Sequence, residues 1–360
     1  ADVVLAIGTR ISGRITGGNT KSFLRGAKAV WHVDVDRGVL NGLDEDLVSR
    51  KKINAYAWRF LGACRELNAE RRDNGWLDRV RMWRDAYDPA MPGRIVSVCL
   101  TCKAVGSTNE RSSARHTAEC DYASKYLHTQ ESPYAFVREL SRFAPVNAVV
   151  ISECGGNAVV FHQAWESKTG QRIFSSHGGS AMGQGLPLAI GAALAQPERP
   201  VIAVIGDGGF ALSAAELNTV RVQRERLKNL RVFVLNNGIY GITRAWQKTN
   251  LAGRTFACGP EPQSGYETPD IVAVCAAYGV QAMNIHDVGG LNYGDRLFPD
   301  GLSEPRPRVY DVQHSGWDTY EPYIRGWDRP IEEMQPSLPE EEFLACMSDV
   351  PPVGGWRGRR

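Results

Sequence analysis

The residues best suited to chemistry in this sequence are an aspartate and an asparagine that follow two apolar runs. Asp207 comes after the run Val201–Ile205, and Asn237 ends a second run, 231–237. Each run predicts a buried parallel strand, and residues 211–228 between them have the composition of a helix. The pattern predicts a strand–helix–strand crossover, which places Asp207 and Asn237 at neighbouring strand ends.

This placement suits a diphosphate bound together with a divalent cation. In open α/β sheets, ligands bind beyond the carboxyl ends of the strands, where the following helix offers free N–H groups. Gly208 and Gly209 allow the main chain to approach such a ligand closely. Mg²⁺ prefers hard oxygen ligands and takes one or two carboxylates from the protein. We therefore predict a metal site made by the Asp207 carboxylate, the Asn237 amide oxygen and the main-chain carbonyl of Ile239.

The wider pattern resembles the cofactor domain of thiamine-diphosphate enzymes of the acetolactate synthase and pyruvate decarboxylase superfamily. That domain carries Gly-Asp-Gly, a helix and then Asn-Asn, and here Gly206–Gly209 and Asn236-Asn237 stand at those places. The upstream spacing of Gly191 and Pro197 agrees as well. A lone Gly-Asp-Gly would say little, whereas the extended pattern is hard to obtain by accident.

The resemblance implies thiamine diphosphate and Mg²⁺ as cofactors and assigns residues to them. Gly206, Asp207, Gly208 and Gly209 would bind the diphosphate end. The segment 175–183 resembles the part that holds the aminopyrimidine ring, with the Ser180 carbonyl accepting from its 4′-amino group. Met182 would wedge between the two rings of the cofactor and impose its bent shape. The alternative for Met182 is an ordinary core contact.

The reaction implied by the resemblance is carboligation, in which a 2-oxo acid donor such as pyruvate loses CO₂ and the remainder joins a carbonyl acceptor. Trp246-Gln247 falls where acetolactate synthases carry a Trp-Gln pair, so Trp246 is expected to contact the acceptor. An aromatic residue in this helix can equally serve packing. A simple 2-oxo acid decarboxylase and a non-catalytic cofactor-binding subunit or fragment remain as alternatives.

Residues 1–68 resemble the second half of the superfamily's central domain, which in acetolactate synthases binds FAD through a Gly-x-Arg loop. Gly8 and Arg10 match that loop, and Asp34 and Asp36 lie at a strand end, where they could accept hydrogen bonds from a ribose. Related decarboxylases keep this domain without a flavin, and strand-end aspartates commonly cap loops. FAD is therefore one of two open interpretations.

We predict a doubly wound α/β protein, with parallel sheets in a partial central Rossmann-like domain and in a diphosphate-binding domain. The expected domains are a partial central domain at 1–68, an irregular connecting region at 69–131, the cofactor domain at 132–348 and a flexible tail at 349–360. In the connecting region, one group has zinc-ligand spacing: Cys99, Cys102, His116 and Cys120. Loop cysteines in a reducing compartment are the alternative interpretation.

The composition is that of an ordinary globular chain, with 43% hydrophobic residues, 23% charged residues and a net charge of +2. It favours neither nucleic-acid binding nor membrane insertion. The eight scattered cysteines suit a cytoplasmic location. The chain opens on an apolar run without an initiator Met, which we interpret as a truncated chain. The resemblance also implies a homo-oligomer with the active site between subunits.

Overall fold

A six-stranded parallel sheet is the largest sheet in the computed structural model of the chain. The structure describes residues 2–42, 50–67, 75–88, 133–175, 178–261, 265–285, 306–314, 320, 323–324, 331–335 and 337–348. These residues form two compact units. The first contains Ala1–Met82 and the described part of Glu321–Arg360, and the second is Trp83–Tyr320. Cys99, Cys102, His116 and Cys120 lie outside the described residues.

The first unit is built around a three-stranded parallel sheet in the order β1-β2-β3. Its elements are β1 (Val3–Ile7), α1 (Gly13–Thr16), β2 (Ala29–Asp34), α2 (Arg37–Asn41), β3 (Arg50–Asn54) and α3 (Ala57–Cys64). Helix α4 (Trp76–Tyr87) follows, and only its residues up to Met82 belong to this unit. The same unit contains the antiparallel pair β10 (Tyr323–Ile324) and β11 (Met334–Gln335) and helix α12 (Glu340–Cys346).

An ion pair joins the two ends of the chain within this first unit. Arg25 Nη1 donates to Glu332 Oε1 at 2.8 Å, and both side chains are largely buried. Gly17 packs closely against the C-terminal segment as well, because a Cβ at this position would lie 3.1 Å from Ile324 Cγ2. These contacts explain why the described residues after 321 group with the N-terminal sheet. The domain boundaries expected from the sequence stay a prediction, since a division into compact units does not by itself fix where a domain begins or ends.

The second unit alternates strands and helices. Its elements are α5 (Pro133–Phe143), β4 (Val149–Ser152), α6 (Gly156–Ala164), β5 (Arg172–Ser175), α7 (Gly185–Ala195), β6 (Val201–Gly206), α8 (Asp207–Ser213), α9 (Leu217–Val222), β7 (Leu230–Asn236), α10 (Gly241–Asn250), α11 (Ile271–Ala277), β8 (Gln281–Ile285) and β9 (Arg308–Gln313). The strand order is β5-β4-β6-β7-β9-β8, with every pair parallel. The predicted α/β fold class with parallel sheets is confirmed.

Strand β6 shows why a continuous apolar run forms the centre of this sheet. Val201, Ala203 and Ile205 enter one hydrophobic core, which includes side chains of α7, α9 and α11. Ile202 and Val204 enter a second core on the other face, against α5 and α6. Successive side chains of a strand point to opposite faces, so only an unbroken apolar run buries both.

The crossover from β6 to β7 is less regular than the single helix expected over 211–228. Helix α8 begins at Asp207, directly after the strand, and a 3₁₀ turn at Ala214–Glu216 separates it from α9. The Ser213 hydroxyl donates to the Gly209 carbonyl at 2.9 Å. Such back-bonding competes with the helix ladder and often bends helices.

The sheet reverses its direction of growth between β4 and β6. From β4 the chain moves to β5 on one side and then crosses over to β6 on the other. Ligands of open α/β sheets bind at this kind of switch point, beyond the strand ends. Separately, no helix among the described residues is long and apolar enough to cross a membrane.

Candidate functional site

A cleft opens at this switch point, at the carboxyl ends of β4, β6 and β7. It has a volume of about 590 Å³ including its open mouth. Its walls include predicted site residues from three separate segments: Met182, Gly206, Asp207, Gly208, Gly209, Asn237 and Ile239. The structure therefore brings the predicted diphosphate and metal residues together with the predicted wedge residue.

Asp207 is buried in this cleft, with 5% of its surface exposed. Its Oδ1 accepts from the N–H of Gly208 at 2.9 Å, and its Oδ2 accepts from the Thr268 hydroxyl at 2.7 Å. Burial raises the pKa of Asp207 to about 6, against the lowering effect of these hydrogen bonds. Within the described residues, no Lys, Arg or His forms an ion pair with this carboxylate. A buried carboxylate that lacks a cationic partner is suited to a bound cation.

The Asn237 side chain is held in a defined orientation. Its Nδ2 donates to the Tyr320 hydroxyl and its Oδ1 accepts from the Ile239 N–H, each at 3.3 Å. Gly238 supports the turn with a φ of 70°, a left-handed conformation that favours glycine. In the part of the chain that the structure describes, no cluster of three or more His, Cys, Asp or Glu could hold a metal. The predicted ligand set has only one such side chain, so that finding does not test it.

The two glycines after Asp207 leave room for neighbouring side chains. A Cβ on Gly208 would lie 2.3 Å from Tyr240 Cε1, and one on Gly209 would lie 1.7 Å from Glu153 Oε2. Real Cβ atoms do not approach other atoms this closely. The glycines are thus needed for packing within the chain, in addition to any close approach of a ligand.

Glu153 connects the two glycine-rich segments of the cleft. It is 2% exposed, and its Oε1 accepts from the N–H of Gly185 at 3.0 Å. Burial raises its pKa, while hydrogen bonds from the N–H groups of Gly185, Gly183 and Gly206 oppose that effect. One carboxylate therefore joins the turn after β6 to the segment that carries Met182.

Ser180 and Met182 precede α7 on this segment. Ser180 has a φ of 47°, which is uncommon for a residue with a side chain. Met182 is 45% exposed, so it is not an ordinary core residue. Its Cε lies 3.1 Å from the position that a Cβ on Gly208 would occupy. Met182, the predicted wedge between the two rings of the cofactor, therefore lies beside the glycine-rich turn at Gly206–Gly209.

Three predicted residues, Ser180, Trp246 and Arg10, are not among the described residues that line this cleft. Trp246 lies on α10 with 58% of its surface exposed. Its neighbour Gln247 accepts a hydrogen bond from the main-chain N–H of Phe256 at 2.7 Å and donates one to the main-chain carbonyl of Phe256 at 3.0 Å.

Arg10 is exposed in the first unit. There, Asp36 caps α2 by accepting from the Gly38 N–H at 2.7 Å.

Sequence reasoning missed several residues that shape the cleft. Thr268 binds Asp207, although it lies 61 residues along the chain. Tyr240 covers Gly208 and stacks on Tyr266, with ring centroids 3.8 Å apart. Tyr240 follows Asn236-Asn237 closely in the sequence, and this proximity is a signal that could have identified it as a residue of the cleft. Thr268 and Tyr266 carry no motif that could have singled them out.

His314, also missed, lines the cleft just after β9 with 5% of its surface exposed. Its Nδ1 has no hydrogen-bond partner within the described residues. Burial lowers its pKa to about 4. The group binds fewer protons in the folded protein than in the unfolded chain, so its contribution to stability is present above the unfolded value near 6.5 and is lost as the pH falls toward 4.

The free energy of unfolding should therefore fall by about 3 kcal/mol between pH 6.5 and 4 through His314 alone. Replacing the imidazole by an apolar group removes this titration. Urea unfolding of the wild type and of His314→Leu across this window measures the difference. Equal slopes of stability against pH in the two proteins would contradict the assignment.

The six-stranded parallel sheet with helices is an α/β domain, and its glycine-rich turn and buried carboxylate lie at the switch point, where the sequence predicts the diphosphate site. Residues 153–311 match the family described as thiamine pyrophosphate enzyme, C-terminal TPP binding domain. The predicted resemblance to thiamine-diphosphate enzymes of the acetolactate synthase type is confirmed.

Curated relatives extend the similarity beyond this domain. The chain is 27% identical over 316 residues to the acetolactate synthase large subunit of Parasynechococcus marenigrum (strain WH8102), covering 86% of the chain and 43% of the relative. It is 25% identical over 301 residues to the acetolactate synthase isozyme 2 large subunit of Escherichia coli (strain K12), covering 79% and 43%. A shorter match to the acetolactate synthase of Arthrospira platensis is 33% identical over 156 residues, covering 42% and 25%. The chain thus spans less than half the length of these relatives.

Proposed function

We propose that the protein is a thiamine-diphosphate- and Mg²⁺-dependent carboligase of the acetolactate synthase type that acts on a 2-oxo acid donor. The observation that carries the proposal is the buried Asp207 carboxylate, which has no cationic partner among the described residues and lies on the glycine-rich turn of the cleft. It lies in a region that matches the C-terminal domain of thiamine pyrophosphate enzymes.

Three groups from the strand ends would hold the metal: the Asp207 carboxylate, the Asn237 amide oxygen and the Ile239 carbonyl. The set contains only oxygen donors and one carboxylate, as Mg²⁺ prefers when a diphosphate supplies further oxygens. Gly206, Gly208 and Gly209 would bind the diphosphate end. A cation at this place would offset the burial that raises the pKa of Asp207 to about 6.

The bound cofactor supplies an electron sink for the loss of CO₂ from the donor. The chain would hold the cofactor in a reactive geometry through Ser180, whose carbonyl accepts from the aminopyrimidine, and Met182, which separates the two rings. Tyr240 would exclude water on the side of Gly208, since its ring lies against that residue and is backed by the ring of Tyr266. Trp246 remains our proposal for the contact with the carbonyl acceptor.

Three further features belong to the same proposal. FAD would bind the first unit, where Gly8 has a φ of 58° and Arg10 is exposed. The active site would lie between subunits of a homo-oligomer. A reducing cytoplasm suits the chain because Cys64 and Cys275 form no disulfide within the described residues.

Calorimetry and product analysis test the proposal together. Thiamine diphosphate titrated into the protein should bind with Mg²⁺ present and not with a chelator present. Pyruvate supplied with a second oxo acid should then give a product lengthened by two carbons. Release of free aldehyde alone would support the decarboxylase alternative, and binding without turnover would support a non-catalytic cofactor-binding role. A protein that shows no Mg²⁺-dependent binding would contradict the proposal as a whole.

A further inference from the structure

We propose that Thr268 is a positioning residue for the metal ligand Asp207, and that its hydroxyl fixes the carboxylate in the orientation that receives the cation. This inference rests on the proposed function, in which Asp207 binds Mg²⁺. Thr268 does not itself contact the ion. It acts through the hydrogen bond that its Oγ1 donates to Asp207 Oδ2 at 2.7 Å.

Hydrogen bonds to Asp207 prevent rotation of its carboxylate. Oδ2 accepts from Thr268 at 2.7 Å and Oδ1 accepts from the Gly208 N–H at 2.9 Å, so each oxygen is held by at least one donor. The Gly238 N–H also lowers the pKa of this carboxyl group through a hydrogen bond, with a smaller effect than Thr268 or Gly208. An ionised carboxylate offers about four lone-pair sites, so acceptor capacity remains for a cation. Outer-shell hydrogen bonds of this kind orient metal-binding carboxylates.

The position of the Thr268 hydroxyl is itself fixed from both sides. Downstream, Asp270 caps α11 by accepting from the Ala273 N–H at 2.9 Å, and the first residue of that helix, Ile271, is fully buried. Upstream, the Tyr266 ring stacks on Tyr240, which covers Gly208. Thr268 thus lies between a helix anchored by its buried first residue and an aromatic pair, which restricts the freedom of its hydroxyl to leave Asp207.

A structural explanation competes with this one. The hydroxyl could serve only to satisfy a buried carboxylate, as hydrogen-bond partners of buried charges generally do. In that case its loss would lower the stability of the metal-free protein and leave the affinity for the ion unchanged once folded protein is measured. The two explanations therefore differ in the metal affinity and not in the stability alone.

The decisive experiment titrates Mg²⁺ into the protein at a fixed excess of thiamine diphosphate, subtracts the same titration without protein, and follows binding by calorimetry. Thr268→Val keeps the side-chain volume and removes the donor, and it should lower the Mg²⁺ affinity roughly tenfold or more, as expected for loss of an outer-shell partner. Thr268→Ser restores the donor and should return the affinity to within about threefold of the wild type. Melting of each variant without metal establishes the fraction that is folded.

Thr219→Val provides a matched control. The Thr219 hydroxyl also donates to a carboxylate, Glu216 Oε2 at 3.1 Å, but both residues lie outside the cleft. This variant should bind Mg²⁺ as the wild type does.

The outcomes separate this inference from the proposed function. Mg²⁺-dependent binding by the wild type, together with unchanged affinity in Thr268→Val, would overturn the role of Thr268 and leave the proposed function standing. Absence of Mg²⁺-dependent binding in the wild type would overturn both. If Thr268→Val does not fold, Thr268→Ala tests the same loss of donor, and an affinity equal to that of Thr268→Ser would again overturn the inference.

Discussion

Asp207→Ala is expected to abolish the Mg²⁺-dependent binding of thiamine diphosphate. The substitution removes the one carboxylate of the predicted metal site, and the negative charge of the diphosphate is then poorly neutralised. The loss of affinity should exceed the roughly 10–100-fold that follows from removal of an outer-shell partner. Calorimetric titration of thiamine diphosphate at fixed Mg²⁺ measures it. Unchanged affinity would remove the basis of the proposed function.

Two further variants separate the loss of binding from a loss of folding. Asp207→Asn keeps the shape of the side chain and removes its charge. Burial raises the pKa of Asp207 to about 6, so at pH 8 the ionised side chain opposes folding, and the neutral variant should be at least as stable as the metal-free wild type. Asp78→Ala removes a carboxylate that is 76% exposed on α4 and should leave cofactor binding unchanged.

The strands of the cleft could be predicted because their sequence pattern has few alternatives. Val201–Ile205 is a continuous apolar run between glycine- and proline-containing segments, and the structure buries it on both faces. Since parallel strands end at the same edge of a sheet, the positions of Asp207 and Asn237 followed from the strands alone. The predicted strand order alone therefore placed both candidate metal ligands at one edge of the sheet.

The contacts around those strands could not be predicted in the same way. The bond from Thr268 to Asp207 depends on the path of a segment that returns to the cleft after 61 residues, and a single threonine carries no periodic signal. Glu153 directly follows β4, but its hydrogen bonds to glycine N–H groups depend on how two loops meet. For Trp246, the alignment with the Trp-Gln pair predicted a position in a helix. It gave no information on how much of the side chain is exposed, which is 58%.

Gly209→Ala is expected to disrupt the cleft through Glu153. The added methyl group would lie 1.7 Å from Glu153 Oε2 and 2.5 Å from its Cδ, so either the carboxylate or the glycine-rich turn must move. Glu153 is 2% exposed, and displacement separates a buried charge from its N–H donors. The free energy of unfolding should fall by about 2–4 kcal/mol, the range for charged groups that lose buried hydrogen bonds. Urea unfolding measures this loss, and binding of thiamine diphosphate should weaken with it.

A matched substitution and a double-mutant cycle identify Glu153 as the obstacle to a side chain at position 209. Gly191→Ala makes the same change within α7, where a Cβ would meet nothing within 4 Å. It should stabilise the protein by about 0.5–1 kcal/mol, because alanine favours helices over glycine. In a Glu153→Ala background, the space beside Gly209 is vacated and the penalty of Gly209→Ala should shrink, with a coupling of about 1–3 kcal/mol. An equal penalty in both backgrounds would show that the turn itself, and not contact with Glu153, requires glycine at this position.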